Sequence, residues 1–382
     1  MPMPMGDQIH GAWRGERFTV LRDLHGLTQT DLADVLGVTQ GFVSQLEKGQ
    51  KAIPDHVVAE AAARYRLPLS FFSVGPGPTD WGVHTFRKKA RASARDERRV
   101  KALFDEAART FFEVSKASGF WPVDLPDPGK FDHDPEEVAE ELRSVAGLRP
   151  EDPVRNLTRL IERRGVGVIT HLDSSESDVT LDGHFGISRP AGHNDRPIIA
   201  TARPLPGAVQ RLTLGHELGH ILFDKELTRA LKSTRAPEEQ RAYRFAGALL
   251  LPERVARKRI TNTLSLHGYL RIKADYGVSV GAIIRRGWEL GILSDDRYRS
   301  LNIQLSSQGW RTDEPVEVAR ENPQLYSQTL QRAVGSDWRA AINEYGQDPV
   351  NLRRWLPDTE AQQGPTRDAK VLQLRRRPES TP

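Results

Sequence analysis

The feature that most constrains this chain lies between Leu27 and Gly49, where two short amphipathic segments meet at a single glycine. Thr28 is placed to cap a helix, and Asp31 suits the positive end of that helix's dipole. Leu32, Ala33 and Leu36 fall on one face, and the small Ala33 lets a second helix cross closely. Gly37 permits a tight turn, Thr39 caps the next segment, and Val43 and Leu46 point back towards the first. The pattern predicts two helices crossing through a short glycine turn.

The outward positions of the second helix are Gln40, Gly41, Ser44 and Gln45. Amides and hydroxyls there are suited to base edges in a major groove, and glutamine pairs bidentately with adenine. Gln29, at a helix start, is suited to a phosphate, as are the cationic Arg22, Lys48 and Lys51. Phe42 fits either a thymine methyl or the core. From Arg17 to Phe72 the chain resembles the Xre/Cro–CI repressor family, through Gly26–Gln29, Ser44–Gly49 and Pro54. The resemblance implies that Gln40, Ser44 and Gln45 face an operator. With it, the expected contacts to double-stranded DNA are Gln29, Thr39, Gln40, Gly41, Ser44, Gln45 and Lys48. A homodimer is expected, because such heads usually bind paired half-sites.

The chain has 382 residues, enough for two or three domains, and a net charge of only +4. A surplus that small is compatible with nucleic acid without arguing for it. No apolar run approaches the roughly 18 residues of a membrane span, and the N-terminus lacks the pattern of a secretory signal. The expected location is therefore the cytoplasm, on the nucleoid, with no membrane partner. The chain has 0 cysteines. Disulfides and thiolate zinc sites are excluded, so any metal must be held by His, Asp or Glu.

That restriction gives weight to His216, Glu217 and His220 within Leu212–Phe223. On a helix both imidazoles leave one face, roughly 6 Å apart along the axis, which suits one tetrahedral zinc. Glu217 points about 100° away around the helix and suits a general base beside such a metal. This is a His-Glu-x-x-His pattern. A third ligand is needed. Glu238 and Glu239 open a downstream helix whose buried stripe is Ala242, Phe245, Ala246 and Leu249; Glu239 shares that side and is chosen. Gly219 counts mildly against a helix here. His171, His184, His193 and His267 lack helical partners and are read as surface or core residues.

Residues from about 155 to 315 resemble the ImmA/IrrE family of zinc metallopeptidases. The matching residues are Pro197–Ile199, Arg211–His220, Glu239 with Ala242, Phe245, Ala246 and Pro252, then Tyr276–Val280, Gly309–Trp310 and Glu314–Pro315. Gly215, Leu212 and Ala200–Thr201 depart from the usual residues. The resemblance implies zinc (Zn2+) held by His216, His220 and Glu239, with Glu217 as base. It also implies a helix-turn-helix repressor as the protein cut.

The expected fold is mainly α with a small β-sheet (α+β). A five-helix head over 1–75 precedes a helical linker over 76–134 and a zincin-like domain over 135–315. A helical extension over 316–356 and a disordered tail over 357–382 complete it. Expected strands are Val166–Ile169 and Pro197–Ala200. The basic run Arg87–Arg99 reads as a solvated helix face. Two functions compete: a DNA-binding regulator that cuts a partner or itself, and a non-enzymatic regulator whose peptidase-like part senses a ligand.

Overall fold

A computed structural model describes residues 13–75, 77, 82–85, 93–173, 186–231 and 233–356. His184, residues 87–92 of the basic run and the tail over 357–382 lie outside the described residues.

The head comprises α1 (Glu16–Leu24), α2 (Gln29–Leu36), α3 (Gln40–Glu47) and α4 (Asp55–Tyr65), closed by a 3-10 turn at Leu69–Phe72. The expected fifth helix is thus a single tight turn. Thr28 and Asp31 form a full capping box on α2, and Gly37 adopts φ 63°, the left-handed turn that its lack of a Cβ allows. Thr39 caps α3 by accepting from the Phe42 amide. Phe18, Leu21, Leu32, Val43, Leu46, Val58, Phe71 and Phe72 fill the centre.

Beyond the head, α5 (Ala94–Ala117) starts on a Ser93/Asp96 capping box. Then come α6 (Pro135–Val145), α7 (Leu157–Arg163), β1 (Gly167–Ile169), β2 (Gly186–Ser188) and β3 (Ile198–Thr201). The long helices α8 (Gly207–Phe223) and α9 (Pro237–Leu250) follow. Four more, α10 (Glu253–Arg259), α11 (Tyr269–Tyr276), α12 (Val280–Glu289) and α13 (Asp295–Ser307), build up one side. The described chain ends with α14 (Leu325–Val334), α15 (Ala340–Glu344) and α16 (Pro349–Trp355). No described helix is long and apolar enough to cross a membrane.

The sheet runs in the order β1-β3-β2. β1 is parallel to β3, with Val168 opposite Ile199, and β2 is antiparallel to it, with Ser188 opposite Ile199. β2 is the strand the sequence reading missed, being too short to show an alternation. Side chains alternate across the sheet. Ile169, Ile187, Ile198 and Ala200 join a core with the head, α5, α14 and α16. Val168 and Ile199 join a second core with α6 to α13.

α5 therefore does more than connect. Its Val100, Leu103, Phe104, Ala107 and Phe111 share one core with Phe18, Leu21 and the sheet. Arg17 of α1 forms a buried bidentate pair with Glu106 of α5, at 2.6 and 2.9 Å, while Arg109 adds two further bonds at 3.0 and 3.4 Å. Burial alone would raise the Glu106 carboxyl. The attraction of Arg109 and Arg17, with hydrogen bonds from both, outweighs burial and holds it at about 2. Arg99, at the end of the basic run, departs from a solvated face: it pairs with Asp173 at 2.9 Å and donates to the Leu24 carbonyl at 2.8 Å.

Candidate metal centre and nucleic-acid interface

The centre is assembled by the crossing of α8 on α9. Gly215 and Gly219 lie one turn apart on α8, facing Ala246 and Ala242 of α9. A Cβ on Gly219 would stand 3.0 Å from the Ala242 Cα, and one on Gly215 would stand 3.2 Å from the Ala246 Cβ. The glycine that counted against a helix is what lets the two backbones approach.

That approach brings His216, His220 and Glu239 together, all buried, with one donor atom from each within 4.8 Å of the others. The two Nε2 atoms are 3.0 Å apart. Glu239 Oε2 lies 3.3 Å from His216 Nε2, and Glu239 Oε1 lies 3.7 Å from His220 Nε2. Zinc bonds of about 2.0–2.1 Å in a tetrahedron put donors about 3.3 Å apart, so the three fit one zinc-sized cation. Glu238 is half-buried and outside the group.

Asp224, which the sequence reading missed, stands behind His220. Its Oδ2 is 2.5 Å from His220 Nδ1, and Arg241 binds its other oxygen. The carboxylate fixes the ring and directs Nε2 at the cluster. The signal was present in sequence, since residues 220 and 224 share a helix face. Burial alone would lower His220, but the hydrogen bond to Asp224 and the charges of Glu217, Asp224 and Glu239 together raise it. Tyr243 packs on the His216 ring at 4.2 Å.

Glu217 is buried on the flank towards β2. Its Oε2 accepts from the Ser188 hydroxyl at 2.7 Å and the Thr85 hydroxyl at 2.7 Å. A Cβ at Gly186 would fall 2.6 Å from the Glu217 Cγ, so the carboxylate lies directly against the start of β2. Neither Ser188 nor Thr85 was visible as a site residue, because only the fold brings them to α8. Of the other histidines, His267 packs against Trp310 and His193 is exposed.

A profile of the IrrE N-terminal-like domain matches residues 165–286, and a helix-turn-helix profile matches residues 20–72. The chain joins a helix-turn-helix domain to an IrrE-like domain. It is a DNA-binding regulator carrying a peptidase-like domain. No curated protein matches it. The IrrE-like match contains α8, α9 and all three clustered residues.

In the helix-turn-helix domain, Thr39, Gln40, Gly41, Gln45 and Lys48 are exposed, and Ser44 is half-buried on the same helix. Gln29 gives its side-chain N–H to Glu47 at 2.7 Å and accepts from Gln40 at 2.7 Å. Arg22 is likewise held by Glu47, at 2.8 Å, rather than projecting as a free cation. Phe42 is half-buried with the Lys51 ammonium over its ring at 4.7 Å. A Cβ at Gly41 would meet nothing within 4 Å, so no internal packing requires a glycine there.

Proposed function

We propose that the chain binds a specific operator through α3 and cuts a partner helix-turn-helix repressor with a zinc-dependent endopeptidase centre, so controlling gene expression. The observation that supports the second half is the convergence of His216, His220 and Glu239 with Glu217 on the adjoining flank. His216, His220 and Glu239 would hold zinc, and Asp224 would orient His220 for it. Zinc, when bound, supplies a Lewis acid that polarises a carbonyl and acidifies a water. Glu217 accepts the proton of the attacking water and passes it to the leaving amine. The partner as substrate rests on the family resemblance.

At the other end, Gln40, Gly41, Ser44 and Gln45 would read bases, with Thr39 and Lys48 beside them on the backbone. A helical glycine costs about 1 kcal/mol relative to alanine. With no packing reason for it, Gly41 fits a helix that must approach a groove closely. Gln29 acts through Gln40, which it holds by a hydrogen bond.

A second reading has one observation in its favour: Glu217 is engaged by Thr85, from outside the IrrE-like match. In that reading the domain senses a metal or ligand and adjusts DNA affinity without hydrolysis. The test is incubation of zinc-loaded chain with helix-turn-helix repressors encoded near its gene, beside Glu217→Gln. Cutting by the wild type alone, at equal zinc content, supports the peptidase. Equal, uncut behaviour of both selects the sensor.

A further inference from the structure

Among the described residues β2 is the edge strand of the sheet, and Ser188 turns both its amide and its carbonyl to the outer side. The Thr85 amide donates to the Ser188 carbonyl at 3.0 Å. The Ser188 amide donates to the Thr85 hydroxyl oxygen at 2.9 Å. Further along, Arg189 Nε donates to the Gly82 carbonyl at 2.8 Å, and a Cβ on Gly82 would stand 2.1 Å from the Pro190 carbonyl oxygen. As the segment falls from 85 to 82 its neighbours rise from 188 to 190, so Thr85 pairs with the last residue of β2 and Gly82 lies antiparallel beside the chain that follows it.

We infer that Gly82–Thr85 is a competitor built into the chain, held against Ser188 at the sheet edge and against Glu217, where an extended peptide substrate must displace it. The inference rests on the peptidase reading for what the incoming strand is there to do. Edge strands with unpaired amides and carbonyls take up an added strand through main-chain bonds. Among the described residues, Gly82–Thr85 is the segment that answers Ser188.

The fit is specific. Gly82 has φ +77°, and the crowding at Pro190 leaves no room for a side chain. His84 is fixed at 2.8 Å to Asp105, whose same oxygen accepts from Arg189 at 3.0 Å, so α5 clamps strap and strand together. Thr85 then reaches Glu217 Oε2, on the carboxylate that the peptidase reading makes the base.

The fit is also incomplete in a way that allows exchange. A true neighbouring strand would meet the Ser188 amide with a main-chain carbonyl, whereas Thr85 meets it with a hydroxyl that also serves Glu217. A peptide able to supply the carbonyl makes the stronger ladder and releases Glu217 from the Thr85 hydroxyl, leaving it the bond from Ser188. The segment competes because it is tethered, at an effective concentration on the order of millimolar.

The experiment uses metal-free full chain and a fluorescein-labelled peptide of its own residues 81–86. Anisotropy should show at least tenfold tighter binding to Gly82→Val than to wild type, because the substitution dislodges the strap. A version of the peptide N-methylated at its threonine should bind neither. Affinities within a factor of two for wild type and variant, or equal binding of the methylated peptide, would overturn the inference. In the wild type itself, excess unlabelled peptide should speed hydrogen exchange at the Thr85 amide; an unchanged rate overturns it too. Intact-mass measurement after zinc loading should find the bonds of residues 82–85 whole, and a cut there would make the strap a substrate instead of a competitor. Peptide affinity and exchange need neither zinc nor hydrolysis. Failure of cleavage by Gly82→Val, with tight peptide binding, would sink the peptidase reading and leave the edge site standing.

Discussion

Replacing Gly219 by alanine separates helix propensity from the geometry of the proposed zinc site. In isolation the change should favour α8 by about 1 kcal/mol. In the folded chain the new Cβ would stand 3.0 Å from the Ala242 Cα and 3.3 Å from the Ala242 carbonyl oxygen. Carbon contacts are optimal at about 3.5–4.0 Å, so α9 must retreat by about 0.5 Å. Overpacking of this kind costs about 1–3 kcal/mol, which offsets the propensity gain and leaves a net loss of about 1 kcal/mol. Glu239 rides on α9, and a ligand set tolerates errors of only about 0.2 Å. Zinc affinity should therefore fall at least tenfold, read by competition with a chromophoric chelator, alongside urea denaturation of the metal-free chain. Gly215→Ala is the comparison, because its nearest neighbour is the Ala246 Cβ at 3.2 Å with backbone no nearer than 3.4 Å. It should leave zinc affinity within a factor of three. A Gly219→Ala chain that is more stable and binds zinc as tightly as wild type would refute the claim that this close crossing builds the site.

Asp224→Asn should weaken zinc binding by about 10–100-fold, since the ring of His220 loses its orienting carboxylate; a dissociation constant within twofold of wild type would count against that role. Glu106 moves from an ordinary 4.5 to about 2, which corresponds to about 3 kcal/mol of folding stability. Because the folded value is depressed, this contribution is complete above pH 4.5 and is lost as pH falls towards 2. Urea midpoints should drop across that interval, and no less steeply in Glu106→Gln than in wild type would be the contrary result. Gly41→Ala should stabilise the head by about 0.5–1 kcal/mol and yet weaken binding to a selected operator, measured by anisotropy. Lys48→Ala should lower affinity for all DNA sequences alike and reduce the salt slope by about one; a loss confined to one sequence would contradict a backbone role.

Much of this was legible without coordinates because the signals are local. The Thr28/Asp31 box, the Gly37 turn and the Thr39 cap are contained within the residues that use them, and backbone sterics alone decide their form. Two histidines a helical turn apart must share a face wherever the helix goes. Choosing Glu239 over Glu238 required only the phase of the buried stripe on α9. Roles that depend on a distant partner left no such local signal. Gly219 looked like a defect, since its reason is Ala242 on another helix. Gln29, Arg22 and Arg99 looked like free polar groups, and each is held by a residue outside its own segment.

The sequence by itself determined that a capped, glycine-turned helix pair stands near one end and a pair of imidazoles on a helix further on, because short-range sterics and helical phase need no partner. Tertiary structure alone decided that α8 and α9 cross closely enough to bring Glu239 against both histidines, that α5 binds the head to the sheet, and that Thr85 and Ser188 close on Glu217. Those juxtapositions depend on how buried faces fill space against one another, and chain order carries no record of that.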